Sequence, residues 1–515
     1  MTPPISRRNF VAASLSAGVA ASVSGSGAAA DTSANSTVVA MSAVELSEAI
    51  RKRQVSCVEV MQAYLKQISQ HNHRFNAIVS LREEPALLAE AARYDQELAD
   101  GSYRGWMHGF PVAIKDLADA EGLLTTRGSP IFKDQVASGD SIHVSRMKAA
   151  GAIVIGKTNV PEFGLGSNTY NPVFGPTLNA YDGVSSAGGS SGGAAAALAL
   201  QMAPVADGSD FMGSLRNPGA YNNIIGFRPT PGLVPLSSSF IEELPCNGPM
   251  GRNVTDTAML LSTMAGHHPS SPTSLPVDPG RFAGPLAREW KGTKIAWLGD
   301  FNGYLAMEDG VLDLCESALS GFEAVGCNVD AVNADYPMDK LWQTWLTFRH
   351  WLNRSRSLPL YDDPQNRALL KPEAIWEIEG GEGISGDDVA AASADRAEWY
   401  QAVLRLFEDY DFLVLPTAQV FPYPATTHWP KEIAGREMDT YHRWMEVVIP
   451  GTLSGCPVVN VPAGFNEHGQ PMGLQIIGRR YQDFETLQIA YAYEQATRWN
   501  LDITPFNAPE TGHAS

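Results

Sequence analysis

Two serine-containing turns and one lysine have the residue types that acyl-transfer chemistry requires. Residues 188–193 read GGSSGG and lead into an alanine-rich stretch, while residues 210–214 read DFMGS. Lys115 closes a short apolar run, PVAIK, which is predicted as a buried strand. Burial disfavours the charged form of a lysine and leaves a neutral amine that can serve as a general base. One serine could then attack a carbonyl while a second serine relays its proton to Lys115.

The surroundings of these serines also suit the stabilisation of negative charge. Glycines permit unusual backbone angles at both turns. The alanine-rich stretch after residue 193 is predicted as a helix, whose N-terminal end carries partial positive charge. Successive backbone N–H groups in the turn at residues 210–214 could form an oxyanion hole beside a serine.

A second hydrolase mechanism fits part of the same segment. Residues 188–192 match the G-x-S-x-G nucleophile elbow, which would make Ser190 the nucleophile of a Ser-His-Asp esterase. His350, His428 and His442 are the candidate bases further along the chain. The elbow requires a strand that leads directly into its first glycine, whereas the preceding residues are loop-like. The esterase interpretation is weaker for this reason but stays open.

A nucleotide-binding pattern occurs as well, in the wrong structural context. Residues 151–158, GAIVIGKT, satisfy the P-loop pattern G-x-x-x-x-G-K-[ST]. A P-loop needs its strand before the first glycine and a helix after the lysine. Here the variable positions themselves are predicted as the strand, and Pro161 follows almost at once. We therefore expect no phosphate site in this segment.

Apolar patterning predicts the elements that must position these groups. Buried strands are expected at residues 111–115, 152–155, 294–298, 412–415, 457–461 and 473–477. Helical periodicity is expected at residues 44–68, 87–98, 144–150, 194–200 and 483–499. Strands that alternate with helices predict an α/β architecture.

Composition limits the classes of function. The chain has 515 residues, 44% of them hydrophobic, and a formal net charge of −19. This is long enough for a large core, and an acidic chain without a basic stripe argues against nucleic acid or an anionic membrane as partner. The five scattered cysteines form no CxxC pair and have no histidine at ligand spacing. They predict buried thiols and no metal site, although one disulfide bridge stays open.

The N-terminus resembles a twin-arginine export signal. Arg7 and Arg8 stand in SRRNFV, a weakly apolar stretch follows, and residues 28–30 are alanines of the A-x-A type. We expect residues 1–30 to be a signal peptide, so that the protein is periplasmic or secreted, with no membrane anchor. Residues 31–515 are expected to form a single catalytic domain.

Taken together with further segments, the two turns resemble the amidase signature family. The motifs that carry the resemblance are PVAIKD (111–116), GKTNVPEF (156–163), GGSSGG (188–193), GSDFMGSLR (208–216), GFRPT (226–230), GCPVVNVP (455–462) and GLQ (473–475). They extend over roughly residues 40–265 and 445–498. The intervening residues 270–440 match poorly and are predicted to encode substrate choice.

The resemblance implies a role for each member of a catalytic triad. Ser214 would be the nucleophile, Ser190 a relay serine held by a cis peptide bond, and Lys115 the base. The oxyanion and substrate-binding residues that it implies are Phe211, Met212, Gly213 and Gly164, together with the backbone N–H of Ser214.

The resemblance also implies fold and activity. The fold would be a mixed central β-sheet covered by α-helices on both faces (α/β/α). The reaction would be hydrolysis of a linear carboxylic amide through an acyl-enzyme, with no cofactor and no metal and with a small-molecule amide as partner. Esters, anilides and carbamates stay open as substrates, and so does a homodimer. An amidotransferase component that acts on charged tRNA is disfavoured by the export signal and the acidic charge.

Other residues near these motifs have structural interpretations. Met212 stands where the family usually has glycine, and we expect it to shape the acyl pocket. Asp210 and Arg216 are expected to form a buried structural pair. Asp116 and Asp119 could help to position the lysine, although carboxylates at strand ends are commonly solvated caps. Aromatic residues repeat every three positions on a predicted helix, and core packing is favoured over an aryl-binding pocket for these residues, which are Trp342, Trp345, Phe348 and Trp351.

Overall fold

The computed structural model describes residues 37–236 and 239–508. The predicted signal peptide, residues 1–30, lies outside the described residues, so export stays a prediction. Among the described residues, no helix combines the length and the apolar character that crossing a bilayer requires.

Most of the strands belong to one large mixed sheet. The described strands are β1 Ile78–Val79, β2 Pro111–Lys115, β3 Ile153–Thr158, β4 Ala206–Asp210, β5 Ile225–Arg228, β6 Cys246–Gly251, β7 Lys294–Trp297, β8 Asn328–Ala331, β9 Phe412–Pro416, β10 Glu432–Ile433, β11 Arg436–Glu437, β12 Val458–Phe465 and β13 Pro471–Ile477. Eight of them pair in the order β4-β6-β5-β12-β13-β9-β7-β8. β7 runs parallel to β8 and β9, and the other neighbouring pairs are antiparallel.

The central strands are covered on both faces. Every residue of β5, β6, β9 and β13 is buried, although successive side chains point to opposite faces of the sheet. Both faces must therefore pack against other elements. The predicted α/β fold with a mixed central sheet is confirmed.

A separate three-stranded sheet carries the lysine. Its order is β1-β3-β2, with β2 parallel and β1 antiparallel to β3. Lys115 is the last residue of β2, and its backbone N–H donates to Asp207 Oδ1 in β4 at 3.0 Å. The small sheet thus positions Lys115 beside β4, the edge strand of the large sheet.

Helices lie at each of the predicted positions, and further helices occur between them. The α-helices are α1 Ala43–Arg51, α2 Cys57–Phe75, α3 Glu84–Ala99, α4 Ile142–Ala149, α5 Gly192–Ala199, α6 Arg216–Tyr221, α7 Val254–Met264, α8 Val311–Ala318, α9 Ser320–Ala324, α10 Met338–Asp362, α11 Pro364–Arg367, α12 Pro372–Gly380, α13 Gly386–Asp409, α14 Ile449–Ser454, α15 Asp483–Thr497 and α16 Trp499–Asp502. Short 3₁₀ helices lie at Pro130–Phe132, Glu162–Gly164, Pro279–Ala283 and Arg443–Val448.

The helix predicted over residues 44–68 is in fact two helices, α1 and α2. Ser56 accepts the N–H of Glu59 through its side chain, and the Glu59 carboxylate accepts the N–H of Ser56. This reciprocal capping box satisfies N–H groups at the start of a new helix. The apolar periodicity continues across the break, so it hides the boundary.

The alanine-rich helix α5 is buried along its whole length. Its small side chains let it approach β3 closely, since a Cβ on Gly193 would come within 2.3 Å of the backbone nitrogen of Asn159. The GGSSGG turn is therefore held in the interior of the protein, and it does not act as a flexible linker.

The P-loop pattern is explained by packing. Residues 153–158 form β3, so the strand occupies the variable positions, as predicted. Lys157 is buried, and its Nζ donates to the carbonyl of Ala118 and to Thr125 Oγ1. Lys157 therefore makes structural hydrogen bonds within the protein interior.

Candidate active site

Lys115 lies at the centre of a group of serines. Its Nζ is 2.9 Å from Ser190 Oγ, 2.7 Å from Ser191 Oγ and 3.0 Å from Ser209 Oγ. A further contact of 3.3 Å joins Nζ to the carbonyl oxygen of Ser209. Ser191, the second serine of the GGSSGG turn, thus lies directly against the amine.

The environment of the Lys115 amine favours its neutral form. The residue is 1% exposed. Burial lowers the pKa of Lys115 to about 7, although the carboxylates of Asp207 and Asp210 act in the opposite direction. A neutral amine has a lone pair, and a serine hydroxyl can donate its proton to that lone pair. Lys115 is therefore arranged to accept a proton from Ser190 near neutral pH.

Asp207 is the carboxylate that positions the end of β2, and sequence reasoning missed it. Its Oδ1 accepts the backbone N–H of Lys115, and its Oδ2 lies 3.1 Å from His143 Nε2. Asp116 and Asp119, which the sequence suggested for this role, make no hydrogen bond to Lys115 among the described residues. Asp116 accepts the N–H and hydroxyl of Thr126, and Asp119 uses its backbone N–H to bond Ser141.

The relay serine has the predicted backbone geometry. The peptide bond between Gly189 and Ser190 is cis. Gly164 lies directly against this serine, since a Cβ at Gly164 would come within 3.3 Å of Ser190 Oγ and within 2.7 Å of Leu117 Cδ1. Gly164 also has a φ of +71°, which favours glycine. The glycine leaves the space beside the relay hydroxyl open.

Ser214 borders the same cavity as Ser190 and lies in the loop after β4. It is 7% exposed, and its hydroxyl has no protein hydrogen-bond partner among the described residues. The side chain is thus free to turn towards the relay serine or towards a bound carbonyl. Neighbouring backbone N–H groups lie in the same loop, as an oxyanion hole requires.

The loop that contains Ser214 offers fewer unpaired backbone N–H groups for an oxyanion hole than the sequence indicated. The N–H of Gly213 donates to Asp210 Oδ1 at 2.9 Å, so it is occupied. Within residues 37–236 and 239–508, the N–H groups of Phe211, Met212 and Ser214 have no protein acceptor. Met212 is 2% exposed and lines the cavity, in keeping with its predicted effect on the pocket.

The carboxylate of Asp210 anchors the loop after β4, which contains Ser214. Its carboxylate accepts from Arg216 Nε at 3.0 Å and lies 3.3 Å from Arg228 Nη1. It also accepts the N–H of Leu215 at 3.2 Å. These groups are completely buried, and the two guanidinium groups hold the pKa of Asp210 well below its usual range. The geometry agrees with the structural role predicted for Asp210 and Arg216.

The cavity in front of these groups has a volume of about 510 Å³. Ser190, Ser214, Gly164, Phe211 and Met212 all line it. A larger cleft of about 860 Å³ lies elsewhere, and neither Ser190 nor Ser214 lines it. We therefore place the active site in the smaller cavity, because the reactive groups are there.

None of the candidate histidines contacts either serine within the described part of the chain. His350 Nδ1 lies 3.1 Å from the carbonyl oxygen of Glu377, and His428 stacks on Tyr170. His442 is enclosed by aromatic rings, and burial lowers its pKa to about 3. The geometry therefore gives no support to a Ser-His-Asp mechanism on Ser190.

The aromatic repeat of α10 belongs to the core. Trp342 and Trp345 are at most 1% exposed, and Phe348 is 9% exposed. Trp345 packs against Phe211 with ring centroids 5.2 Å apart, so it supports the cavity wall from behind. The residues of α10 that line the cavity are Arg349, Asn353 and Arg356, which sequence reasoning did not identify.

All five cysteines are buried and free. Among the described residues there is also no group of three or more His, Cys, Asp or Glu side chains that could hold a metal ion.

Comparison with known proteins assigns the family. The amidase family model matches residues 59–487. An acylamidase from Rhodococcus erythropolis is 31% identical over 466 residues, which cover 89% of this chain and 96% of that protein. A component of the glutamyl-tRNA(Gln) amidotransferase from Cyanothece sp. is 32% identical over 492 residues, covering 88% of this chain and 98% of that protein.

Solved structures agree with this assignment. A bacterial aryl acylamidase of the amidase signature family superposes with a TM-score of 0.84 at 28% identity, covering 92% of this chain and all of that one. A peptide amidase from Stenotrophomonas maltophilia superposes with a TM-score of 0.73 at 26% identity, covering 89% of this chain and 97% of that one. The chain therefore belongs to the amidase family, and it hydrolyses carboxylic amide C–N bonds by a serine mechanism.

Proposed function

We propose that this amidase is an acylamidase that hydrolyses linear carboxylic amides, acyl anilides among them, with Ser214 as nucleophile, Ser190 as relay and Lys115 as base. The observation that carries the proposal is the buried Lys115 amine, 2.9 Å from the hydroxyl of Ser190, because Ser190 and Ser214 line the same cavity. The acylamidase and aryl acylamidase relatives support the choice of substrate class.

Acylation begins when an amide carbonyl enters the cavity above Ser214. Ser190 donates its proton to the neutral Lys115 amine and takes the proton of Ser214, so that Ser214 Oγ attacks the carbonyl carbon. Negative charge develops on the carbonyl oxygen, and the free N–H groups of Phe211, Met212 and Ser214 are available to bind it. The C–N bond breaks as the relay returns a proton to the leaving nitrogen.

Deacylation uses the same groups in the same order. A water molecule takes the place of the departed amine and donates its proton through Ser190 to Lys115. The resulting hydroxide attacks the ester carbonyl, and Ser214 Oγ leaves with a returned proton. The products are a carboxylate and an amine.

A substrate panel tests this proposal. The protein is assayed with 4-nitroacetanilide, hexanamide, an ethyl ester, a phenyl carbamate and glutamine. We expect hydrolysis of the anilide and the aliphatic amide. Turnover of glutamine alone would favour the role of the amidotransferase relatives, and turnover of the ester or carbamate alone would contradict the amide proposal.

The pH dependence of hydrolysis follows from the lysine. Lys115 accepts a proton only when neutral, and its pKa is about 7. We expect kcat/KM to be constant at alkaline pH, to halve near pH 7 and to fall about tenfold for each further pH unit below it. Initial rates between pH 5 and pH 9 measure this profile. A profile that is flat across neutral pH would contradict the assignment of Lys115 as the base.

A further inference from the structure

One wall of the catalytic cavity is polar and comes from a single helix. Arg349, Asn353 and Arg356 line the cavity, and all three belong to α10. Their spacing of four and then three residues places them on one face of the helix, one turn apart. We call these three residues the polar wall. It presents two guanidinium groups and a carboxamide side by side.

Arg349 uses only part of its donor set within the protein. Its Nε donates to Glu377 Oε1 at 2.7 Å, and its Nη2 donates to Tyr441 Oη at 2.8 Å. These bonds fix the plane of the buried guanidinium. In the described part of the chain no protein acceptor binds Nη1 of Arg349, so this nitrogen keeps its donors for a ligand.

Arg356 and Asn353 also have unused donors. Arg356 donates through Nε to Glu242 Oε1 at 2.9 Å, and no acceptor among the described residues binds its two terminal nitrogens. Asn353 is 9% exposed, and its side-chain nitrogen likewise has no partner within the described residues. A buried polar group without a partner is uncommon because its desolvation is not offset. A ligand that brings acceptor atoms would satisfy the buried amide of Asn353 and would replace water at the exposed guanidinium of Arg356.

The polar wall is joined to the nucleophile loop through the ring of Phe211. The guanidinium carbon of Arg349 lies 5.0 Å from the ring centroid, and that of Arg356 lies 5.8 Å from it. Phe211 and Ser214 belong to the same short loop after β4. A substrate that reaches Ser214 therefore occupies the cavity that the polar wall borders.

We propose that the polar wall binds a carboxylate carried by the amide substrate. This inference rests on the function proposed above and narrows it to amides with an anionic substituent. A carboxylate accepts several hydrogen bonds and matches the planar guanidinium of arginine better than a neutral carbonyl does. The nearby carboxylates of Glu377 and Glu242 are already bound by Arg349 and Arg356, so they hold the guanidinium groups in place.

Matched substrates test the inference. Glutaric acid mono-4-nitroanilide is compared with its primary carboxamide, and N-butyryl-4-aminobenzoate is compared with N-butyryl-4-aminobenzamide. The first pair places the carboxylate on the acyl side, and the second places it on the amine side. We expect kcat/KM for at least one acid to exceed that of its neutral partner about tenfold, mainly through KM.

Variants of the polar wall test which residues cause the preference for acids. Arg356→Gln and Asn353→Leu should each reduce the acid-to-amide ratio of kcat/KM, and the double variant should reduce it further, to a remainder that Arg349 supports. Arg367→Gln is the control. Arg367 is an exposed arginine at the end of α11 that pairs with Glu379 and does not line the cavity. This control should keep the ratio of the unaltered protein.

The outcomes separate this inference from the proposed function. Equal turnover of acids and amides, or a preference for acids that is undiminished in the double variant, would overturn the inference while the amidase proposal stands. If no amide in either pair is hydrolysed, the proposed function fails. Calorimetric binding of the same acids and amides to the Ser214→Ala protein then still tests the polar wall, and equal affinity of acid and amide would overturn it.

Discussion

Replacement of Ser214 by alanine is expected to lower kcat for amide hydrolysis by about 10⁴-fold or more. The variant retains the cavity and the buried base, but it has no oxygen that can form the acyl-enzyme. The hydroxyl of Ser214 makes no hydrogen bond to the protein among the described residues, so its removal leaves no buried partner unsatisfied. We therefore expect the unfolding midpoint to stay close to that of the unaltered protein.

Labelling with a fluorophosphonate shows which serine attacks. Mass spectrometry of the labelled protein should place the adduct on the peptide that contains Ser214. The Ser190→Ala variant is the matched comparison: it should lose most of its activity, because the proton relay is broken, while the binding cavity remains. An adduct on Ser190, or a Ser214→Ala protein within tenfold of normal activity, would remove Ser214 from the mechanism.

The sequence predicted the local structure around Lys115 and the GGSSGG turn well because strand periodicity and short motifs depend on local residues. Lys115 was placed at the end of a buried strand from the run PVAIK, and β2 ends there. The GGSSGG turn was placed before an alanine-rich helix, and α5 begins at Gly192. In both places the local pattern and the tertiary environment agree.

The sequence did not identify the groups that reach the site from distant parts of the chain. Asp207 positions Lys115 from 92 residues away, in a strand that the residues ADGSD do not suggest. β6 contains glycine, proline and asparagine, which disfavour strands locally, yet it is paired on both sides by β4 and β5. Strand pairing outweighs local propensity at these positions.

The polar wall on α10 is another example of a feature that local sequence does not identify. The aromatic repeat of α10 correctly predicted a buried stripe, since Trp342 and Trp345 lie in the core. Periodicity shows that a helix has a buried face, but it does not show which other residues border a cavity. That depends on how α10 docks against the loop of Phe211. Arg349 looks like a solvent-facing charge in the sequence, yet it is buried. Arg356 is exposed, and its position at the border of the cavity is likewise recognised only in the folded protein.

Replacement of Lys115 by alanine is expected to reduce kcat/KM at pH 8 by about 10²-fold to 10⁴-fold. The relay through Ser190 then has no acceptor, so Ser214 attacks without general-base assistance. The residual rate should also lose its dependence on a group of pKa near 7, because that group is absent. Rates of 4-nitroacetanilide hydrolysis between pH 5 and pH 9 measure both effects.

Two comparisons distinguish a lost base from a damaged fold. Lys157→Met removes another buried lysine, whose Nζ bonds Thr125 and lies 3.9 Å from Asp116, away from the serines. It should lower the unfolding midpoint while each folded molecule keeps its activity. Propylamine added to the Lys115→Ala protein should restore part of the rate, because a small amine can occupy the vacated space and accept the proton from Ser190. If Lys115→Ala retains activity within tenfold of normal, the amine contributes packing and not chemistry. If propylamine has no effect on a folded, inactive variant, the loss comes from altered geometry around Ser190.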